Sequence, residues 1–185
     1  TPEVRGCLVP DAGNTLVIAD YSQIELRVAA EISGDSKMIE AYKAGEDLHT
    51  LTASLVKGIG VEAVTDNERQ AAKAVNFGLI YGMGANGLMN YAKNSYGVEM
   101  SLAEAKTFRT RFFEAYTGIK QWHGNVKRNV KETRTLGDRR RIWEDSPRIT
   151  ELYNTPVQGT AADIIKKALT LLPEALAETE SRIIG

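Results

Sequence analysis

The stretch Thr65-Asp66-Asn67-Glu68-Arg69-Gln70-Ala71-Ala72-Lys73-Ala74-Val75-Asn76-Phe77-Gly78-Leu79-Ile80-Tyr81-Gly82 constrains the fold more than any other. Thr65 followed by Glu68 is a capping box, which starts a helix at Asp66 and sets Asp66 and Glu68 at its positive end. Arg69, Lys73, Phe77 and Tyr81 then recur every four residues, a slowly drifting stripe along one helix face that reaches about 18 Å. Two cations near the start of such a stripe can hold phosphates, one as a planar fork and one as a point charge. Two rings further on can pack a sugar and a base. The same spacing also suits a solvated charged turn followed by two core aromatics, and the spacing alone favours that plainer reading.

The pattern Arg-x-x-x-Lys-x-x-x-Phe-Gly-x-x-Tyr-Gly, with Asn76 before the Phe, resembles the nucleotide-binding fingers helix of family A DNA polymerases, the DNA polymerase I type. A second stretch points the same way. Thr15-Leu16-Val17-Ile18-Ala19 is a short apolar run after the turn-like Pro10 to Asn14, and it predicts a buried strand ending at Asp20. A carboxylate at a strand end suits magnesium, although on local grounds alone capping of the following helix by Asp20, with Ser22 as the competing cap, is the preferred reading. Asp20-Tyr21-Ser22-Gln23-Ile24-Glu25-Leu26-Arg27 is similar to the first catalytic motif of the same family. Glu46-Asp47-Leu48-His49-Thr50 and Tyr153-Asn154-Thr155-Pro156-Val157-Gln158-Gly159-Thr160-Ala161-Ala162-Asp163 resemble two further family segments.

The resemblance implies roles, residue by residue. Asp20 becomes a carboxylate bridging two Mg²⁺ ions, with the Tyr21 carbonyl as a further ligand. Glu25 becomes the steric gate that crowds the sugar 2′ position, and Gln23 lies near the incoming nucleotide. His49, Arg69 and Lys73 contact the triphosphate, Lys73 also being placed as a general acid for pyrophosphate. Phe77 and Tyr81 pack the nucleotide. Asn154 and Gln158 reach the primer-template minor groove, where acceptors occur at every base pair, so amide donors can test pair geometry without reading sequence. The implied partners are primer-template DNA and deoxynucleoside triphosphates.

The remaining helices follow from periodicity and glycine punctuation. We expect helices over 22–33, 37–43, 47–57, 88–96, 101–116 and 118–133, and one from Ser146-Pro147 that Pro156 kinks before it resumes over 157–171. Gly82, Gly84 and Gly87 imply a loop. Phe108, Phe112 and Phe113 read as a packed face, and His123 as structural. Thr135 to Trp143 reads as a turn between two short strands, with Arg139, Arg140 and Arg141 leaving it.

Composition narrows the classes. With 43% hydrophobic and 25% charged residues the chain is ordinary for a globular protein, and no run of about 18 apolar residues predicts a membrane span. The single Cys7 excludes an intramolecular disulfide, and with only His49 and His123 a Cys/His zinc site is not expected. A reducing, cytoplasmic setting in a bacterial or phage-infected cell fits this. The net charge of -1 hides a basic tract: Lys106 to Arg148 holds twelve cations against five anions, a local excess suited to tracking phosphates.

The expected fold class is α/β but mainly helical, a partial polymerase palm sheet with a helical fingers subdomain. Residues 1–35 and 134–185 would be palm parts and 36–133 fingers. Thr1-Pro2-Glu3 has neither Met nor signal sequence, so the chain reads as beginning mid-protein. It is expected to stop at Gly185 before the family's second catalytic aspartate, leaving an incomplete metal site and an inactive fragment. The stretch from Arg141 to Asn154 is shorter than the bacterial enzymes suggest, hinting at a phage-like branch. Two other functions remain open: a single-subunit RNA polymerase and a non-catalytic nucleic-acid-binding module.

Overall fold

The computed structural model describes residues 6–127 and 130–184. The central element of the sequence is also central in space. Its helix, here α4, runs Asp66–Ile80, and Thr65 and Glu68 close the expected capping box in both directions. Before it come α1 (Ile24–Ser33), α2 (Ser36–Lys43) and α3 (Leu48–Lys57), then a short 3-10 turn at Val61–Ala63. After it come α5 (Ala85–Tyr96), α6 (Leu102–Ala115), α7 (Thr117–Asn125), the strands β1 (Glu132–Arg134) and β2 (Arg140–Ile142), and the long α8 (Ile149–Ala175).

Local chemistry explains most boundaries. Asp35 and Asp47 accept backbone N–H bonds from Met38 and Thr50, capping α2 and α3. Ser101 and Glu104 form a second capping box on α6. Gly34, Gly58 and Gly97 end α1, α3 and α5 in the left-handed region.

The core gathers around α4. Its buried side chains Ala74, Val75, Leu79 and Ile80 join Leu26 of α1, Leu48 of α3, Leu88 of α5, Phe112 of α6 and Ile119 of α7. Of the expected Phe108, Phe112 and Phe113 face, Phe108 and Phe112 are buried and Phe113 packs half-buried against the core. α8 packs its first half on α1 and β1, burying Leu152, Tyr153, Pro156, Val157 and Ala161. Its second half exposes Ile165, Leu169 and Leu171.

Several expectations are corrected. Thr15 to Ala19 is not a strand, and Val17 and Ile18 are 89% and 91% exposed. A strand exists only in a ladder, and the described strands, β1 and β2, pair antiparallel with each other (Glu132↔Ile142, Arg134↔Arg140) and leave no partner for it. The helix expected over 118–133 stops at Asn125, because residues 132–134 enter that hairpin. α5 begins at Ala85 instead of Leu88, so Gly87 is helical. α8 begins at Ile149, beyond Pro147, and continues through Pro156 to Ala175. Arg128, one of the cations of the basic tract, and Thr1 to Arg5 lie outside the described residues.

Gly82, directly after α4, has φ +79°, and a Cβ there would stand 2.7 Å from the Tyr153 ring. Gly82→Ala therefore combines left-handed strain with overpacking, together roughly 2–5 kcal/mol. A lower denaturation midpoint at unchanged denaturant slope is the expected result.

Candidate functional site

Along α4 the side chains Arg69, Lys73, Phe77 and Tyr81 are each half-buried, whereas Ala72, Ala74, Val75, Asn76, Leu79 and Ile80 are buried. The stripe thus forms a partly open strip on a helix whose other side is core. Lys73 forms no ion pair or hydrogen bond among the described residues.

Two bridges tie this strip to the segment after Asp20. At the far end, the Tyr81 hydroxyl donates a short hydrogen bond to Glu25 Oε2, and Gln158 Nε2 of α8 donates to Glu25 Oε1 at 3.4 Å. Burial and the Glu25 carboxylate both push the Tyr81 phenol well above its usual range, so it keeps its proton and donates. Three segments far apart in sequence therefore meet at one carboxylate. Asn154 lies one helical turn before Gln158 on the unbroken α8, half-buried, on the same side.

At the near end, Gln23 Nε2 donates to Asp47 Oδ1 at 2.9 Å, and its own Oε1 accepts from Tyr42 at 3.0 Å. Asp47 also takes Arg69 side-on, Nε to Oδ2 at 2.6 Å and Nη2 to Oδ1 at 3.2 Å. Burial would raise the Asp47 carboxyl, but hydrogen bonds from Arg69, Thr50 and Gln23 outweigh it and hold the group well below the usual carboxylate range. Arg69 is therefore paired, which the sequence did not suggest. The pair uses one edge of the guanidinium and leaves the Nη1 donors and one Nη2 donor for another anion. At 37% exposure the Arg69 side chain remains open to solvent.

His49 is 4% exposed. Asn76 Nδ2 contacts its Nδ1 at 2.9 Å, and its ring lies 6.0 Å from that of Phe77. Burial pulls it down to about 4, with the nearby Arg69 and Lys73 lowering it further and Asp47 opposing them. The imidazole is neutral at physiological pH. His123 is structural, as expected: its Nε2 donates to the Ile80 carbonyl at 2.8 Å and its ring stacks on Tyr153 at 3.9 Å.

Asp20 and Tyr21 are exposed, with no hydrogen bond or ion pair from the Asp20 side chain among the described residues. Asp20 offers one hard oxygen ligand of the kind magnesium takes. The described residues contain no group of three or more His, Cys, Asp or Glu that could hold a metal ion, so they fit magnesium as part of a shell and do not close it.

The arginine triplet is less free than its sequence implies. Arg139 is bonded to Asp163 at 2.7 Å and to the Gly159 carbonyl at 2.9 Å, anchoring the hairpin to α8. Arg140 lies 3.6 Å from Glu132, and Arg141 covers the Trp143 ring at 4.9 Å. Sequence reasoning missed Asp47, Tyr42, Thr52, Asn76 and Tyr116 as site residues. Asp47 carried a local signal, the Asp-x-x-Thr of a helix cap, and Asn76 stood in the fingers-helix pattern with no role assigned to it.

The sequence model described as DNA polymerase family A matches residues 1–184. The chain belongs to that family. It is 48% identical over 174 residues to DNA polymerase I of Aquifex aeolicus (strain VF5), covering 91% of this chain and 30% of that protein. Against a thermostable DNA polymerase I of Thermus thermophilus identity is 38% over 196 residues, covering 98% of this chain and 22% of the relative. That alignment is longer than the 185-residue chain, so the relative carries residues this chain lacks. Among solved structures, the chain resembles the POL domain of Pol1 from M. smegmatis in complex with DNA primer-template and dNTP, with TM-score 0.75 and 35% identity over 86% of this chain and 29% of that one. The chain therefore spans less than a third of these relatives. No described helix is long and apolar enough to cross a membrane.

Proposed function

We propose that this chain is part of a DNA-directed DNA polymerase that adds deoxynucleotides to a primer 3′-end, with primer-template DNA and deoxynucleoside triphosphates as partners and the bacterial cytoplasm as its place. The observation that carries the reading is the meeting of Glu25, Tyr81 and Gln158. It sets the first motif, the end of the α4 strip and α8 around one point. The resemblance to a polymerase domain titled as holding primer-template and dNTP supports it.

In this reading the triphosphate lies along the first half of α4. Arg69 presents its free guanidinium edge while Asp47 holds the other, and Lys73 adds an unpaired charge where negative charge develops on the leaving pyrophosphate. His49 donates as a neutral group beside them. Phe77 and Tyr81 receive the sugar and base. Glu25, immobilised by Tyr81 and Gln158, stands where a 2′-hydroxyl would intrude, and Gln23 is held at the near end of the strip by Asp47 and Tyr42. Asn154 and Gln158 face the minor groove from α8. Asp20 and the Tyr21 carbonyl supply oxygen ligands to two Mg²⁺ ions, which when bound activate the primer hydroxyl and stabilise the leaving group. Residues 1–35 and 134–185 would form the palm and 36–133 the fingers; the packing of α1 against α8 supports joining the first and last parts.

Glu25→Ala in the intact polymerase tests this assignment. Discrimination against ribonucleotides in single-nucleotide primer extension is expected to weaken roughly tenfold to a hundredfold, the range for removing one close steric contact. Unchanged discrimination removes Glu25 from that role, and a wild-type preference for ribonucleotides would favour an RNA polymerase.

A further inference from the structure

Behind the strip runs a line of four polar side chains inside the core. Tyr116, Thr52 and Asn76 are 0% exposed and His49 4%. The Tyr116 hydroxyl lies 2.8 Å from Thr52 Oγ1, Thr52 Oγ1 lies 2.9 Å from Asn76 Oδ1, and Asn76 Nδ2 lies 2.9 Å from His49 Nδ1. The line joins α6's end, α3 and α4, and so holds the strip's histidine from the opposite side of the core.

Counting protons gives the line a direction. Buried polar groups must be satisfied, and Thr52 is the hydrogen-bond partner of the Tyr116 hydroxyl among the described residues, so Tyr116 donates to Thr52. Thr52 has one proton and gives it to the Asn76 carbonyl. The Asn76 amide nitrogen, a donor only, then faces His49 Nδ1, which must accept. In the reverse order the Tyr116 proton would be stranded in the core without an acceptor.

We infer that Tyr116, acting through Thr52 and Asn76, is a positioning residue that locks His49 in the Nε2–H tautomer, presenting a neutral N–H donor to an anionic phosphate on the α4 strip. The phosphate half rests on the function proposed above; the tautomer does not. A neutral donor beside Arg69 and Lys73 adds a directed hydrogen bond without a third cation. The groups acting on the ring are Asp47 from the start of α3 and Arg69 and Lys73 from α4.

Imidazole ¹⁵N spectra of the intact polymerase provide the test, with the ring signals of His49 and His123 assigned by substituting each histidine in turn. At neutral pH His49 is expected with Nε2 protonated and Nδ1 bare; a proton on Nδ1 overturns the inference. Thr52→Val removes the hydroxyl that orients Asn76, and a mixture of His49 tautomers is expected while the His123 signals stay in place as a check on the fold. A pure Nε2–H tautomer in that variant, with His123 unmoved, also overturns it. Should Thr52→Val not fold, Asn76→Asp replaces the donor with an acceptor and must draw a proton onto Nδ1; a bare Nδ1 there counts against the relay. Inorganic tripolyphosphate is expected to shift the wild-type Nε2–H signal. No response to it, with the tautomer as stated, removes the phosphate half and weakens the polymerase reading, leaving the relay itself intact.

Discussion

Lys73→Ala in the intact enzyme is expected to slow single-turnover nucleotide incorporation by a hundredfold or more. The reason is geometric as well as electrostatic. Arg69, one turn earlier, shares its charge with Asp47, whereas Lys73 shares its charge with no described residue, so in the proposed reaction it would be the cation whose full charge faces the leaving pyrophosphate. Losing one preorganised group that stabilises developing charge costs about 3–4 kcal/mol. Lys73→Arg separates two contributions: an arginine keeps the charge but does not release a proton near neutral pH. Rescue by arginine assigns Lys73 to charge stabilisation, and continued loss assigns it to proton donation. A rate for Lys73→Ala within a few-fold of wild type would falsify both.

Asp20→Asn is expected to lower incorporation by about a thousandfold or more, because a metal ligand contributes several kcal/mol to transition-state stabilisation. The substitution keeps the shape and removes the charge. Asp20 is exposed and makes no side-chain bond among the described residues, so folding stability should move by no more than about 0.5 kcal/mol. Loss of rate at unchanged thermal midpoint, with weaker dependence on magnesium concentration, is the expected pair of results. A variant that incorporates nucleotide within tenfold of the wild-type rate would take Asp20 out of the metal site.

Under the proposed function, pairing prepares a residue for a ligand instead of withdrawing it. Asp47 grips Arg69 by the Nε edge and simultaneously caps α3 and receives Gln23. One carboxylate thereby sets the orientation of a guanidinium fork and fixes the start of the helix carrying His49. Its low pKa follows from that multiplicity of donors, which more than offsets the cost of burial.

What could be read from the order of residues was what neighbours in the chain decide. The capping boxes at Thr65 and Ser101 and the glycine stops at Gly34, Gly58 and Gly97 act over three or four residues, and those ends came out as expected. The Arg69–Tyr81 stripe followed from helical period alone. Tertiary structure decided the rest, because the deciding contacts join residues distant in sequence. Whether Thr15 to Ala19 becomes a strand depends on a ladder partner. Whether residues 132–134 continue a helix depends on Arg140 to Ile142. The Asp47–Arg69 pair spans 22 residues, the Thr52–Tyr116 bond 64 and the Gln158–Glu25 bond 133. Sequence named the side chains expected to hold a nucleotide; only packing determined which of them are held, by what, and with which edge left free.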